Sequence, residues 1–359
     1  MCIKALVLTS VLAAGSLAAA DALTPLELAI PGAPIVGGMN FERIRLAYAG
    51  SRYQELLTPE YREQSERSWK QMRDMLGVDL SQLKDVVFSM RPVPPPGKSQ
   101  VVVILRGPFD PDHPPAFLAF LTSEKSVYQG VPIFATKPGQ GGEPMTIAFP
   151  GAGMALVGDP ASVRATIDRW KSGSASHSPL LAKAEEMSAK FHVWFLARDF
   201  ESAASPGAPV PAGGAGIDAA LRSVGEATLG MNLVPAFEAS VEMVTKTAKD
   251  ASGLEGAVKG FVAVATAQAA AKQNKDLFSG LHVESQDRTV RVSLVIPEEK
   301  MIEAFKEQMK RGPNWWKDAG QAFGLAPQNT DVVIQSSGDR HATEIPKNAN
   351  STHVVTLSQ

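Results

Sequence analysis

The sequence predicts an α+β fold with two similar halves, each a mostly antiparallel sheet with helices packed on one face. The chain has 359 residues, and about 150 residues per domain suggests roughly two domains. Strand-like runs are joined by links of hairpin length and alternate with well-punctuated helices, which favours antiparallel pairing. The order of elements in the first half also recurs in the second. A single sheet shared by both halves, or a mixed α/β sheet, remains an alternative.

The composition is that of a globular protein. Hydrophobic residues make up 44% and charged residues 20% of the chain, which excludes disordered, collagen-like and polytopic membrane proteins. Lys plus Arg number 35 and Asp plus Glu 37, a net charge of −2, so the chain lacks the basic surplus typical of nucleic-acid binding. Cys2 is the single cysteine. Because it lies in the predicted leader, the mature chain has no thiol for disulfides, catalysis or metal binding.

Residues 1–20 have the pattern of a secretory signal peptide. Lys4 gives a positive start, Ala5 to Leu17 is apolar, and three alanines ending at Ala20 form a small-residue cleavage site. A membrane anchor needs about 20 apolar residues, and this run is shorter. We therefore expect an exported protein, periplasmic or secreted after cleavage near Ala20, with no transmembrane helix in the mature chain.

The first half, residues 21–175, begins with a strand and two helices. The second helix is well marked, because Thr58 can cap it, Pro59 suits its first position and Gly77 can end it. Asp159 before Pro160 marks another helix start in the same way. The predicted strands are Pro34–Met39, Asp85–Met90, Gln100–Leu105, Tyr128–Thr136, Met145–Phe149 and Met154–Val157, and the predicted helices are Phe41–Leu57, Thr58–Leu76, Pro114–Thr122 and Pro160–Lys171.

The second half, residues 176–319, repeats this pattern. Ile35–Glu42 aligns with Trp194–Glu201, and Tyr128–Ile133 aligns with Phe278–Val283, which predicts an internal duplication. Residues 202–216 form a predicted surface loop and residues 320–359 a weakly ordered polar tail. The predicted strands are Phe191–Leu196, Ala227–Leu233, Glu238–Thr245 and Thr289–Ile296, and the predicted helices are Ser252–Lys272, a core helix, and Pro297–Arg311.

The strongest candidate for chemistry is the run Asp110-Pro-Asp112-His113-Pro. Two carboxylates and an imidazole could bind a divalent cation or act as acid and base. The structural interpretation is that Asp112 caps the following helix and His113 is exposed. His192 and His282 lie in strand patterns, and we expect their imidazoles at a sheet edge or in solvent. Phosphate-loop, zinc-protease, hydrolase-elbow and calcium-loop motifs are absent from the sequence, and no metal or cofactor is predicted.

Two adjacent tryptophans are candidates for a surface contact. Trp315 and Trp316 follow Lys310 and Arg311, and such a pair can sit at a membrane interface or in a partner's groove. The alternative is that both rings fold back onto the core.

One segment resembles a known class of proteins. Leu156–Asp168, followed by Ser178-Pro-Leu-Leu181 and a strand like Phe191–Leu196, is similar to uncharacterised exported bacterial proteins of an unknown-function family. The turn at Tyr128-x-Gly130-Val131 is similar to one upstream in those proteins. The resemblance implies an exported, duplicated α+β protein and transfers no catalytic residue.

The function that the sequence favours is a non-enzymatic envelope or secreted protein. We expect it to bind an envelope partner or an apolar ligand through a sheet face or the cleft between halves. A hydrolase whose site is dispersed in sequence is one alternative. A membrane-peripheral protein that uses Trp315 and Trp316 for weak surface contact is the other.

Overall fold

The computed structural model describes residues 23–56, 58–93, 97–115, 118–137, 144–199, 222–271 and 279–310. The predicted leader, the loop at 202–216, Trp315, Trp316 and the tail at 320–359 lie outside these residues. The chain divides into two units, residues 1–301 and 302–359. The first unit contains the whole sheet, and the described part of the second is the end of the last helix.

The described helices and strands follow the predicted order closely. The helices are α1 (Phe41–Ala49), α2 (Pro59–Leu76), α3 (Leu118–Leu121), α4 (Pro160–Ser172), α5 (Pro179–Lys190), α6 (Ala248–Ala271) and α7 (Glu298–Lys310). The strands are β1 (Ile35–Asn40), β2 (Asp85–Arg91), β3 (Gln100–Arg106), β4 (Thr122–Tyr128), β5 (Val131–Thr136), β6 (Thr146–Gly151), β7 (Met154–Gly158), β8 (Val193–Arg198), β9 (Val224–Asn232), β10 (Phe237–Thr245), β11 (Leu281–Gln286) and β12 (Thr289–Ile296).

All twelve strands belong to one sheet. Its order is β11-β12-β10-β9-β8-β1-β2-β3-β7-β6-β5-β4, and every neighbouring pair is antiparallel. The α+β class is therefore confirmed. Of the sheet arrangements left open, the single sheet shared by both halves is the one observed, because β1 pairs with β8 along Ile35–Met39 and joins the two halves. The internal duplication stays a prediction.

Helices cover both faces of this sheet, not one. Ile167 of α4 and Leu180 of α5 pack in one core with Leu196 of β8. Leu254 of α6 packs in another core with Ala227 of β9. Leu196 lies opposite Thr228, the residue after Ala227. Because successive strand side chains point to opposite faces, α6 lies on the face opposite α4 and α5.

Local sequence signals explain where α4 begins and ends. The Asp159 side chain accepts hydrogen bonds from the N–H groups of Ala161 and Ser162, and Gly173 ends the helix with φ 66°. Val163 and Ile167 face the sheet and are fully buried. Burying each of these side chains contributes about 1.5–3 kcal/mol to stability, so the buried stripe is what fixes α4 on the sheet.

The segment after the predicted leader is part of the core, which the sequence did not predict. Leu28 and Ala29 are fully buried. The Ile30 N–H donates to the Ser89 hydroxyl of β2 at 2.9 Å, where Ser89 is itself buried. The segment therefore covers the β1–β2 region on the α5 side of the sheet.

Several predicted elements differ from the structure. The predicted helix Phe41–Leu57 corresponds to α1, which ends at Ala49, and Thr122, predicted to end a helix, begins β4. The predicted strand 128–136 corresponds to β5 and the turn before it, where Gln129 and Gly130 have positive φ and connect β4 to β5. The predicted core helix 252–272 corresponds to α6, whose first turns are buried at Leu254 while Phe261 is 53% exposed. The first turns of α6 pack on the sheet, and the side chains of Phe261 and Val264 reach solvent.

Candidate functional site

A cavity of about 290 Å³ lies between the sheet and α5. We call it the α5 cavity. Its walls come from residues 24–26, the end of β1, the start of β2, the end of β3, α5 and β8. All of these segments belong to the first unit. The volume is close to the lower end of the range for small-molecule pockets, about 300–1,000 Å³, so the cavity suits a small ligand.

One side of the α5 cavity is apolar and built on a close approach at β1. Leu26, Val87 and Trp194 line it. Trp194 is 2% exposed, and its ring lies against Gly38. A Cβ placed on Gly38 would be 2.8 Å from Trp194 Cζ2 and 2.8 Å from the Val86 carbonyl oxygen. Only a residue without a side chain leaves room for this indole, so Gly38 fixes the apolar wall.

The same face of the sheet also carries a tightly bonded ion pair. Arg106 Nε donates to both carboxylate oxygens of Asp85 at 2.9 Å, and Nη2 also donates to Oδ2. The two residues face each other across β2 and β3. Hydrogen bonding to Asp85, with further attraction from Asp85 and Glu42, raises the pKa of Arg106. The two charges therefore largely compensate each other at the cavity wall.

Helix α5 supplies the rim. Glu185 and Ser188 line the cavity from this helix, and Asn40 lines it from the end of β1. Asn40 is structurally engaged, since its Oδ1 caps α1 by accepting from the Arg43 N–H at 2.9 Å. Among the described residues, the Glu185 carboxylate has no hydrogen bond or ion pair. It is the uncompensated charge of the cavity.

A second, more open recess of about 520 Å³ lies on the other side of Glu185. Glu27, Ser176, His177 and Ser178 contribute to its lining together with Glu185. Ser176 is held by its N–H, which donates to the Glu27 carbonyl at 2.6 Å. Both hollows border the segment that follows the predicted leader.

The candidates Asp110, Asp112 and His113 lie in an exposed loop and do not line the α5 cavity. His113 Nδ1 is 2.8 Å from Asp110 Oδ2, and the Asp112 N–H donates to Asp110 Oδ1 at 2.9 Å. The hydrogen bond with Asp110 raises the pKa of His113, and the same bond lowers the pKa of Asp110. The predicted cap is not formed, because the next described helix begins at Leu118. Within the described ranges, no group of three potential ligands could hold a metal ion.

His192 is buried, contrary to the expectation from its strand pattern, and only 5% of it is exposed. Its Nδ1 accepts the Leu233 N–H at 3.0 Å, which secures the β9–β10 link beside β8. Burial and nearby Arg43 lower the pKa of His192, while Glu238 acts in the opposite direction. The role is structural. His282, by contrast, is exposed as expected.

No sequence motif marks the α5 cavity, although Asp85 and Arg106 have one recognisable signal. The two residues lie at the outer ends of adjacent strands, and their hairpin pairing makes them opposite partners. Glu185 gave no such signal, because its place at the rim depends on how α5 packs on β1 and β8.

In the described part of the chain, no helix has the length and apolar character needed to cross a membrane. Trp315 and Trp316, the predicted surface contact, lie outside that part.

Comparisons with known proteins give a distant structural likeness. No family model and no curated protein matches the chain. Among solved structures, the chain is similar to one described as "Structure of crystal form I of TP0453", at 10% sequence identity and a TM-score of 0.42. The match covers 80% of this chain and 98% of that chain. These comparisons assign no family, so the resemblance to uncharacterised exported bacterial proteins stays a prediction.

Proposed function

We propose that this chain is an exported, non-enzymatic binding protein that holds a small ligand with an apolar body in the α5 cavity. The observation that carries the proposal is the cavity itself, with an apolar side around Trp194 beside the Asp85–Arg106 pair. Ligand sites commonly combine a largely apolar lining with a few polar groups that orient the ligand.

The size of the cavity limits the ligand. If each non-hydrogen atom occupies about 30 Å³, the share of a water molecule in the liquid, then 290 Å³ holds about ten such atoms. The ligand is therefore a single small molecule or one end of a longer one. The polar groups on the wall are already paired, as Arg106 donates to Asp85, and this arrangement suits binding more than proton transfer.

Export is supported by the leader pattern of residues 1–20 and by the place of the following segment. The buried residues Leu26, Leu28 and Ile30 come soon after the predicted cleavage site. Export is tested by fusing residues 1–20 to a reporter that is active only outside the cytoplasm. We expect activity of the fusion, and we expect the exported full-length protein to have the mass of a chain that begins at Asp21. An inactive fusion would remove export from the proposal.

Ligand binding is tested with 1-hexanol and a variant in which the cavity is filled. Ser188 lies on the rim, so Ser188→Trp should place an indole in the space and weaken hexanol binding at least tenfold by calorimetry. Ser188→Ala is the matched control and should bind as the wild type does. Equal hexanol binding by the tryptophan variant, or no binding by the wild type, would contradict the proposed site.

A further inference from the structure

We infer that the ligand of the α5 cavity carries a cationic head group, such as a primary ammonium, on its apolar body. This inference rests on the proposed function and adds the charge class of the ligand. It follows from the balance of charges around the cavity and from how each charge is engaged.

The charges that line the cavity are Asp85, Arg106 and Glu185. Asp85 and Arg106 bind each other through both carboxylate oxygens, so neither offers an uncompensated charge to a ligand. Glu42 also acts on the Arg106 guanidinium, which further reduces its attraction for an anion. The cavity therefore has a net negative charge that is centred on Glu185.

The cations near Glu185 on α5 and α1 are engaged elsewhere. Lys183 binds Glu186, with Nζ 3.0 Å from Oε2. Lys190 lies over the Phe191 ring at 5.1 Å. Arg43 donates to carbonyl oxygens at the end of α5, including that of Ser188 at 3.1 Å. The carboxylate of Glu185 is thus available to an incoming ammonium group.

The adjoining recess has the same sign of charge. It contains Glu27 in addition to Glu185, so the negative potential extends over both hollows on either side of the rim. An ammonium group at this rim can approach Glu185 while its alkyl chain extends toward Leu26, Val87 and Trp194. A carboxylate in the same position would face like charge.

The test uses three ligands of one chain length and two matched variants. n-Hexylamine, 1-hexanol and hexanoate are titrated at neutral pH into the wild-type protein, Glu185→Gln and Glu186→Gln. Glu186 is the neighbouring glutamate, exposed and paired with Lys183. In the wild type and in Glu186→Gln, we expect hexylamine to bind about fivefold more tightly than hexanol, the upper range for an ion pair at an exposed rim.

In Glu185→Gln this preference should disappear, and hexanoate should bind more tightly than it does to the wild type. In the wild type the preference should shrink at high salt, which screens exposed charges. Equal binding of the three ligands by the wild type, tighter binding of hexanoate, or a preference retained in Glu185→Gln would overturn the cationic ligand while leaving the binding function intact. Binding of none of the three would instead contradict the proposed function itself.

Discussion

Replacing Gly38 by alanine tests whether the contact between β1 and Trp194 is as tight as the structure indicates. A Cβ at this position would lie 2.8 Å from both the Val86 carbonyl oxygen and Trp194 Cζ2. The indole can shift, but the carbonyl belongs to the paired strand β2 and cannot move without disturbing the sheet. Overpacking of this kind costs about 1–3 kcal/mol.

The same substitution also reduces the conformational entropy of the unfolded chain, which stabilises the folded protein by about 0.4–1 kcal/mol. The expected net loss for Gly38→Ala is therefore about 1–2 kcal/mol. Gly225→Ala is the matched control, because Gly225 also lies in a strand of this sheet and its Cβ would meet the Val244 oxygen at an ordinary 3.8 Å. The control should be neutral or slightly more stable than the wild type.

The assay is equilibrium unfolding in urea, followed by circular dichroism of the sheet, with hexanol titrated into each folded variant. Gly38→Ala should unfold at lower urea than Gly225→Ala with an unchanged slope, and it should bind hexanol less tightly because Trp194 is displaced. If the two variants were equally stable, the close approach of Trp194 to β1 would be refuted.

Two further predictions concern the buried histidine and the long helix of the second half. Burial lowers the folded-state pKa of His192, so the unfolded chain binds a proton at this imidazole more readily than the folded chain does. The contribution of His192 to stability is therefore complete above about pH 6.5 and is lost as the pH falls toward the folded pKa. Urea midpoints at pH 7.5 and 5.0 should therefore differ more for the wild type than for His192→Gln, and an identical pH dependence would show that the Leu233 contact is unaffected by titration. In α6, Leu254→Ala should lower the free energy of unfolding by about 2–5 kcal/mol, because Leu254 is 1% exposed. Phe261→Ala should change the free energy of unfolding by about 0.5 kcal/mol or less, because Phe261 is 53% exposed. Similar losses in the two variants would contradict the view that α6 packs on the sheet through its first turns.

The local elements could be predicted because their signals are local. The start of α4 follows from Asp159 and Pro160, and its end follows from Gly173, which adopts the left-handed conformation. The turn between β4 and β5 also has a local signal, since Gly130 adopts a positive φ. The strand before this turn, β4, has no such signal, because Thr122–Tyr128 is mostly polar and exposed and lacks the apolar alternation of a half-buried strand.

The arrangement of the sheet could not be predicted in the same way. The pairing of β1 with β8 joins residues more than 150 positions apart in sequence, and strand pattern alone does not select between partners. The face on which a helix packs also depends on this pairing of distant strands. The placement of α6 opposite α4 and α5 therefore could not be predicted from the sequence. The same holds for His192, because its imidazole accepts a hydrogen bond from Leu233, 41 positions away in sequence.

The candidate site was missed for a related reason. Its wall combines Leu26 from the segment after the leader, Trp194 from β8 and Glu185 from α5, and none of these forms a motif with the others in sequence. The sequence instead favoured Asp110, Asp112 and His113 as the candidate site. These residues are close together because they are neighbours in one exposed loop.

The most direct test of the account is to locate a bound ligand by covalent labelling. A hexylamine analogue that carries a photoreactive diazirine on its alkyl chain is bound to the full-length protein, irradiated and mapped by mass spectrometry of the peptides. We predict labels on Leu26, Val87 or Trp194, competed away by excess hexylamine and reduced in Glu185→Gln. Labels that fall on other parts of the chain, or that resist competition, would contradict the α5 cavity as the binding site.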